Sequence, residues 1–296
     1  MSKVYNFSAG PCILPQEVLK EASQAVTNFD GLNLSLVEIS HRSKNFVAVM
    51  DETVALVREL LEVPDNYDVV FIQGGASLGF VITAYNLMRE NGSAAYLNTG
   101  TWANKAQKEA ALFGNVIEVA NSKDKNYNYI PKGYDIPNDV DYFHCTSNNT
   151  IFGTQMKSFP ECSVPLVCDM SSDIFSKKVD ISKFDMIYAG AQKNMGPAGS
   201  TMYIIKKEVH GRNERKIPSY LNLQIHADKE SMFNTPPVFP VYVSMLTLRW
   251  LKANGGIEWI ENRNNAKADL LYGEIDNNPK FNGVATSAKT LSPGSF

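Results

Sequence analysis

A mostly parallel, seven-stranded α/β sheet covered by helices is the fold that this chain of 296 residues predicts. Three observations lead there. Short apolar runs alternate with helix-period stretches from about Asn45 to Lys207. Several of those runs end in glycine-rich or polar segments, where open α/β sheets place their ligand contacts. One run, Val164-Pro-Leu-Val-Cys-Asp169, is apolar almost throughout, as a strand buried on both faces must be.

Each element follows from its local pattern. Pro15–Phe29 sets Val18, Ala22, Ala25, Val26 and Phe29 on one helical face. Asn45–Val63 does the same with Phe46, Met50, Val54, Val57 and Leu61. Asp68–Gln73, Ala94–Asn98, Val116–Ala120, Asp141–Thr146, Pro165–Asp169, Asp185–Tyr188 and Thr201–Lys206 read as strands. Asn121–Val140 is polar and interrupted by Pro and Gly, so it reads as a long surface excursion. Val241–Ala253 reads as a helix closed by Gly255-Gly256, and Ile257–Ile275 as the next helix. Asn277–Phe296 offers no complete element, and Leu291–Phe296 reads as a loop. Length and pattern together predict a large domain over 16–255. A small α/β domain is expected from 1–15 with 256–296, its C-terminal part missing here.

Composition excludes several classes. The net charge of −3 leaves no basic footprint for nucleic acid or a membrane surface. No apolar run reaches the length of a membrane span, and the N-terminus lacks an apolar signal core. Cys12, Cys145, Cys162 and Cys168 form no CxxC pair and show no metal-ligand spacing with the four histidines. They read as reduced thiols in a cytoplasmic protein without a metal site.

The chemistry is carried by Tyr188-Ala-Gly-Ala-Gln-Lys193-Asn-Met-Gly-Pro-Ala-Gly199. Small residues around Lys193 let something bulky approach the backbone. A lysine in such a pocket can lose its proton and attack a carbonyl. Asp169 stands at a strand end, and the interval to Lys193 suits a connection and one neighbouring strand. An acid and an amine so placed suit pyridoxal phosphate: the acid keeps the ring nitrogen protonated, and the amine holds the aldehyde. Phe71-Ile-Gln-Gly-Gly-Ala-Ser77 reads as strand, glycine turn and helix start, a phosphate-binding arrangement or simply a tight turn. Trp102 opens a helix and could stack on a planar ring or pack that helix onto the core. Thr150 follows a strand within an Asn-rich turn. Ser40-His41-Arg42 offers a carboxylate clamp or a solvated basic patch. Asn234-Thr235 is held before a helix by Pro236-Pro237.

Taken together, these segments resemble the phosphoserine aminotransferases, pyridoxal-phosphate enzymes of the class V aminotransferase group with fold type I. The resemblance rests on Asn6-Phe-Ser-Ala-Gly-Pro11, Glu38-Ile-Ser-His-Arg42, Tyr188-Ala-Gly-Ala-Gln-Lys193-Asn, Ser231-Met-Phe-Asn-Thr-Pro-Pro237 and Trp250-Leu-Lys-Ala-Asn-Gly-Gly256. It implies transamination between L-glutamate and 3-phosphohydroxypyruvate in serine biosynthesis, and leaves a role in pyridoxine biosynthesis open. Lys193 would carry the cofactor and Asp169 would pair with its ring nitrogen. Trp102 would stack on the ring, and Thr150 would contact its phenolic oxygen. Ala76, Ser77 and Gln192 would hold the cofactor phosphate. Asn234 and Thr235 would reach that phosphate in the other subunit of a homodimer. Backbone at Ala9 and the Arg42 guanidinium, with His41 beside it, would meet the substrate.

Two departures accompany the resemblance. Some relatives carry Gly-Arg where this chain has Ala76-Ser77. Contacts through backbone N–H groups survive that change, whereas an arginine side-chain contact does not. Relatives also continue into a C-terminal region whose His-Arg pair helps bind the substrate phosphate. Among rivals, a cysteine desulfurase needs a late nucleophilic cysteine, and none follows Cys168. An alanine–glyoxylate type aminotransferase would need no phosphate recognition. A cofactor-binding chain without turnover is the third reading.

Overall fold

The computed structural model describes residues 4–281 and 283. The loop expected at Leu291–Phe296 lies outside them. Elements run in the order α1 (Gln16–Thr27), α2 (Lys44–Leu61), β1 (Tyr67–Gly74), α3 (Ala76–Leu87), β2 (Ser93–Asn98), α4 (Thr101–Ala110) and β3 (Asn115–Asn121). There follow β4 (Tyr142–Thr146), a short hairpin β5 (Asn148–Asn149) and β6 (Thr154–Gln155), β7 (Leu166–Asp169), β8 (Met186–Gly190) and β9 (Gly199–Lys206). Three helices close the series: α5 (Leu223–Asp228), α6 (Val238–Ala253) and α7 (Gly256–Asn277).

Seven strands form one sheet in the order β1-β9-β8-β7-β4-β2-β3. The expected strands all appear, with ends moved by a residue or two. Pairing is parallel from β8 through β7, β4 and β2 to β3, while β9 is antiparallel to both β8 and β1. The sheet is buried on both sides. Every residue of β4, β7 and β8 is buried, which their near-continuous apolar sequence requires. One face packs Phe71, Cys145, Cys168, Ile187 and Met202 with α2 and α6. The other packs Val70, Val167, Met186, Tyr188 and Tyr203 with residues of α3 and α4.

Helix ends follow their local chemistry. The Ser43 hydroxyl accepts the Phe46 N–H at 3.3 Å and so caps α2. At the other end Glu62 takes a left-handed conformation and terminates the helix. α6 stops at Ala253, and Gly255-Gly256 turns the chain into α7, as the glycine pair predicts. Helix α5 and the β5–β6 hairpin are additions to the sequence reading. Six residues and two-residue strands are too short to show a period.

A buried polar row crosses the second face. The His144 ring stacks between Tyr96 and Tyr188, with centroids at 4.8 and 5.9 Å. Its Nε2 lies 2.8 Å from the Tyr188 hydroxyl. Burial pushes the His144 pKa down to about 3, so the folded state holds it neutral. An unfolded histidine titrates near its ordinary 6.5. Between those values the unfolded chain binds the extra proton. Stability therefore falls as pH drops through this window, by up to about 1.4 kcal/mol per pH unit. His144→Gln, which keeps a polar partner for Tyr188, should flatten this slope in urea unfolding measured from pH 7 to pH 4. An unchanged slope would assign acid sensitivity elsewhere.

Candidate active site

The sheet topology decides where the singled-out residues meet. β1 and β8 are both antiparallel to β9 and therefore run the same way. Strands β1, β2, β4, β7 and β8 thus all end at one edge. That edge collects Gly75 after β1, Trp102 after β2, Ser147 after β4, Asp169 at the end of β7, and Lys193 just past β8. Open α/β sheets bind ligands at such an edge because helix N-termini and loops converge there.

Asp169 is 4% exposed. Its Oδ1 accepts the Ser171 N–H at 2.9 Å and the Ser171 hydroxyl at 2.6 Å. Among the described residues no bond falls on Oδ2, which stays available to a further donor. Burial raises the Asp169 pKa, while the Ser171 bonds and the Lys193 charge lower it. The Ser171 hydroxyl also accepts the Gly190 N–H at 3.0 Å, tying the acid to the end of β8.

Lys193 is partly buried, and its Nζ donates to the Thr150 hydroxyl at 2.5 Å. Desolvation lowers its pKa, opposed by the charges of Asp169, Cys12 and Asp173. Its amine is therefore a better nucleophile near neutral pH than an exposed lysine. The N-terminal segment packs on it. Cys12 N–H donates to Gln192 O at 3.0 Å. A Cβ at Gly10, whose φ is +156°, would come within 2.9 Å of Lys193 Cγ and Cε. Only glycine fits there, and Ala9 is its exposed neighbour.

The N-terminus of α3 and Gln192 lie close together at the same edge. The Leu78 and Gly79 N–H groups make the first helical bonds of α3, to Gly75 O. The N–H groups of Ala76 and Ser77 have no intrahelical acceptor and remain for a ligand. A Cβ at Gly190 would stand 2.7 Å from Gln192 Oε1 and 3.4 Å from Ala76 N. The Gln192 amide and the α3 N-terminus therefore converge on one point. Trp102 stands in the first turn of α4, with Lys105 Nζ 4.7 Å above its ring. Its Nε1 is buried and has no hydrogen-bond partner among the described residues.

Among the described residues the other candidates make no hydrogen bond to Asp169 or Lys193. Arg42 is exposed, and His41 Nε2 is buried without a partner among the described residues. No hydrogen bond joins either to the Lys193 loop among the described residues. Thr235 is exposed, with its carbonyl accepting Gln73 Nε2 at 3.0 Å. Sequence reasoning gave no role to Ser171, which holds both Asp169 and Gly190. A hydroxyl two residues after an acid, bonding back to it, was the available signal. A cleft of about 320 Å³ opens beside Lys193, lined by Cys12, Trp250 and the α7 cations Arg263 and Lys267.

Comparison with known proteins places the chain in a family. The family model described as aminotransferase class-V matches residues 4–294. A phosphoserine aminotransferase of Flavobacterium johnsoniae is 63% identical over 284 residues, covering 96% of this chain and 80% of that protein. A structure of phosphoserine aminotransferase, solved to follow radiation damage of its Schiff base, superposes with a TM-score of 0.96 at 40% identity. That match covers 99% of this chain and 82% of the other. A pyridoxal-phosphate-bound phosphoserine aminotransferase of Trichomonas vaginalis has a TM-score of 0.93 at 34% identity, covering 98% and 82%. The chain belongs to the class V aminotransferase family, among its phosphoserine aminotransferases.

Proposed function

We propose that this chain moves an amino group between L-glutamate and 3-phosphohydroxypyruvate, giving 2-oxoglutarate and O-phospho-L-serine, with pyridoxal phosphate as cofactor. The observation that carries the reading is a buried carboxylate, Asp169, and a desolvated amine, Lys193, at one sheet edge. The names of the relatives supply the substrate class. Serine biosynthesis is the process such a reaction serves.

The donor set suits the cofactor at three points. Among the described residues Asp169 Oδ2 is unengaged and the first N–H groups of α3 have no helical acceptor, and Lys193 has a lowered pKa. When bound, pyridoxal phosphate supplies a ring that withdraws electron density from the substrate α-carbon. Asp169 holds a proton on the ring nitrogen. Lys193 would hold the aldehyde through Nζ, and as a free amine it would accept and return the proton at the substrate α-carbon. Thr150 would contact the phenolic oxygen and Trp102 would stack on the ring. Ala76, Ser77 and Gln192 hold the phosphate. Ala9 backbone and Arg42, with His41, orient the substrate. Arg263 and Lys267 favour anions at the cleft mouth.

Titration of the visible spectrum with O-phospho-L-serine tests this reading. Loss of a yellow band in favour of the pyridoxamine form is the expected result. A band that responds to L-alanine and ignores O-phospho-L-serine would transfer the assignment to an alanine–glyoxylate type enzyme.

A homodimer completes the site in this proposal, with Asn234 and Thr235 reaching the partner's cofactor phosphate. The exposure of Thr235 and the partial exposure of Asn234 in one chain support that role. Mixing inactive Lys193→Ala chains with Asn234→Ala/Thr235→Ala chains should restore about a quarter of wild-type activity, because half the dimers then hold one intact site. No recovery in mixed dimers would place both residues outside the partner's site. Four free thiols support a cytoplasmic setting, which cell fractionation would check. Among the described residues no helix is long and apolar enough to cross a membrane.

A further inference from the structure

The turn after Asp169 holds a second buried acid that amino transfer does not use. Asp173 is 1% exposed. Its Oδ1 accepts a short hydrogen bond from the Ser147 hydroxyl. Its Oδ2 accepts Gln155 Nε2 at 3.2 Å and faces Lys177 Nζ at 3.5 Å. Lys177 Nζ donates in turn to Met156 O at 3.1 Å. Ser147 directly precedes the β5–β6 hairpin, Gln155 ends it, and Met156 follows it. Met156 N–H closes the base by donating to Ser147 O at 2.7 Å. All the straps from Asp173 and its lysine therefore land on the two ends of one hairpin. Thr150 sits in the turn between its strands, with its hydroxyl at Lys193 Nζ.

A desolvated carboxylate is costly unless its oxygens are engaged. Here they engage both ends of a segment whose strands are two residues each and whose own ladder is weak. We propose that Asp173 is a positioning residue that clamps the 147–155 hairpin and thereby sets the Thr150 hydroxyl against the Lys193 amine. The inference rests on the reading of Lys193 as the cofactor-bearing amine. Thr150 accepts a hydrogen bond from charged Lys193, so its correct placement favours the charged form. Asp169, Asp173 and Cys12 are the titratable groups that act on the same amine.

The test is a mutant cycle on the full chain: Asp173→Ala, Asp173→Asn, Thr150→Val and the Asp173→Ala/Thr150→Val double variant. The readout is the pH at which Lys193 is half-acylated in the cofactor-free protein, followed by mass spectrometry. The pH midpoint of the visible band in the loaded protein is a second readout. Thr150→Val and Asp173→Ala should each lower the Lys193 midpoint by about 0.5–1 pH unit. Asp173→Ala should add less than half of its own shift once Thr150 is absent. Asp173→Asn keeps an acceptor for Ser147 and should stay nearer to wild type than the alanine variant. Equal shifts for Asn and Ala would reduce Asp173 to a through-space charge and overturn the clamp. A full additive shift in the double variant would do the same. If Asp173→Ala does not fold, Gln155→Ala removes one strap with the carboxylate in place, and the same cycle applies. The cofactor-free readout needs no substrate, so it stands apart from any failure of the proposed reaction.

Discussion

Lys193→Ala abolishes amino transfer. Turnover should fall by at least ~10⁴-fold, because in the proposed reaction one amine would both carry the cofactor and move the α-proton. The surroundings of Lys193 explain why nothing replaces it. Desolvation lowers its pKa, so an uncharged amine is present at lower pH than for an exposed lysine. Cys12 acts electrostatically on Lys193 and lines the same cleft, but burial pushes its thiol up and leaves it a poor nucleophile. Between the folded pKa and the ordinary 10.5 the unfolded chain binds more protons at Lys193, so the cofactor-free protein gains stability as pH rises through that window. Lys193→Ala should remove that gain. Steady-state assays with an unchanged circular dichroism spectrum check the first claim, and wild-type turnover in the variant would sink the assignment.

Asp169→Ala or Asp169→Asn should cost at least ~10³-fold in turnover with the cofactor still bound. The cofactor would remain held through Lys193 and the α3 N-terminus, so retention and rate separate in this variant. In the proposed site a carboxylate would be needed, because an anion at this point would keep a ring nitrogen protonated. Burial raises its pKa, and two bonds from Ser171 with the nearby Lys193 charge oppose that rise. Asparagine has nearly the same shape and would keep Oδ1 bonded to Ser171, but it carries no charge. Absorbance shows whether cofactor is bound, and single-turnover rates show what was lost. A variant that loses cofactor outright at unchanged rate per bound site would turn Asp169 into a binding residue only.

Much of this was legible in the chain itself. The seven strands, both long N-terminal helices and the α6–α7 break follow from periodicity and glycine placement. Asp169 and Lys193 stood out because an acid ending a continuous apolar run and a lysine among small residues are both locally odd. The antiparallel placement of β9 was not legible. Its eight residues read like any buried strand, and its direction depends on what it packs between. Ser171 and Asp173 were visible as residues but not as partners. Their bonds reach β8 and the hairpin, and no local pattern encodes that reach.

What the sequence alone determined is the set of parts. It specified alternating elements buried on both faces, an acid at a strand end, a lysine past the next strand, and a glycine turn before a helix. These depend on neighbours a few residues apart, and short-range period and turn chemistry report them. Only the tertiary structure decided the assembly. It set Thr150 against Lys193, packed Gly10 onto the same lysine, aimed Gln192 and the α3 N-terminus at one point, and strapped Asp173 across a hairpin. Those contacts join residues far apart in the chain. Strand order and crossover direction bring them together, and both are settled by burying two faces of one sheet at once.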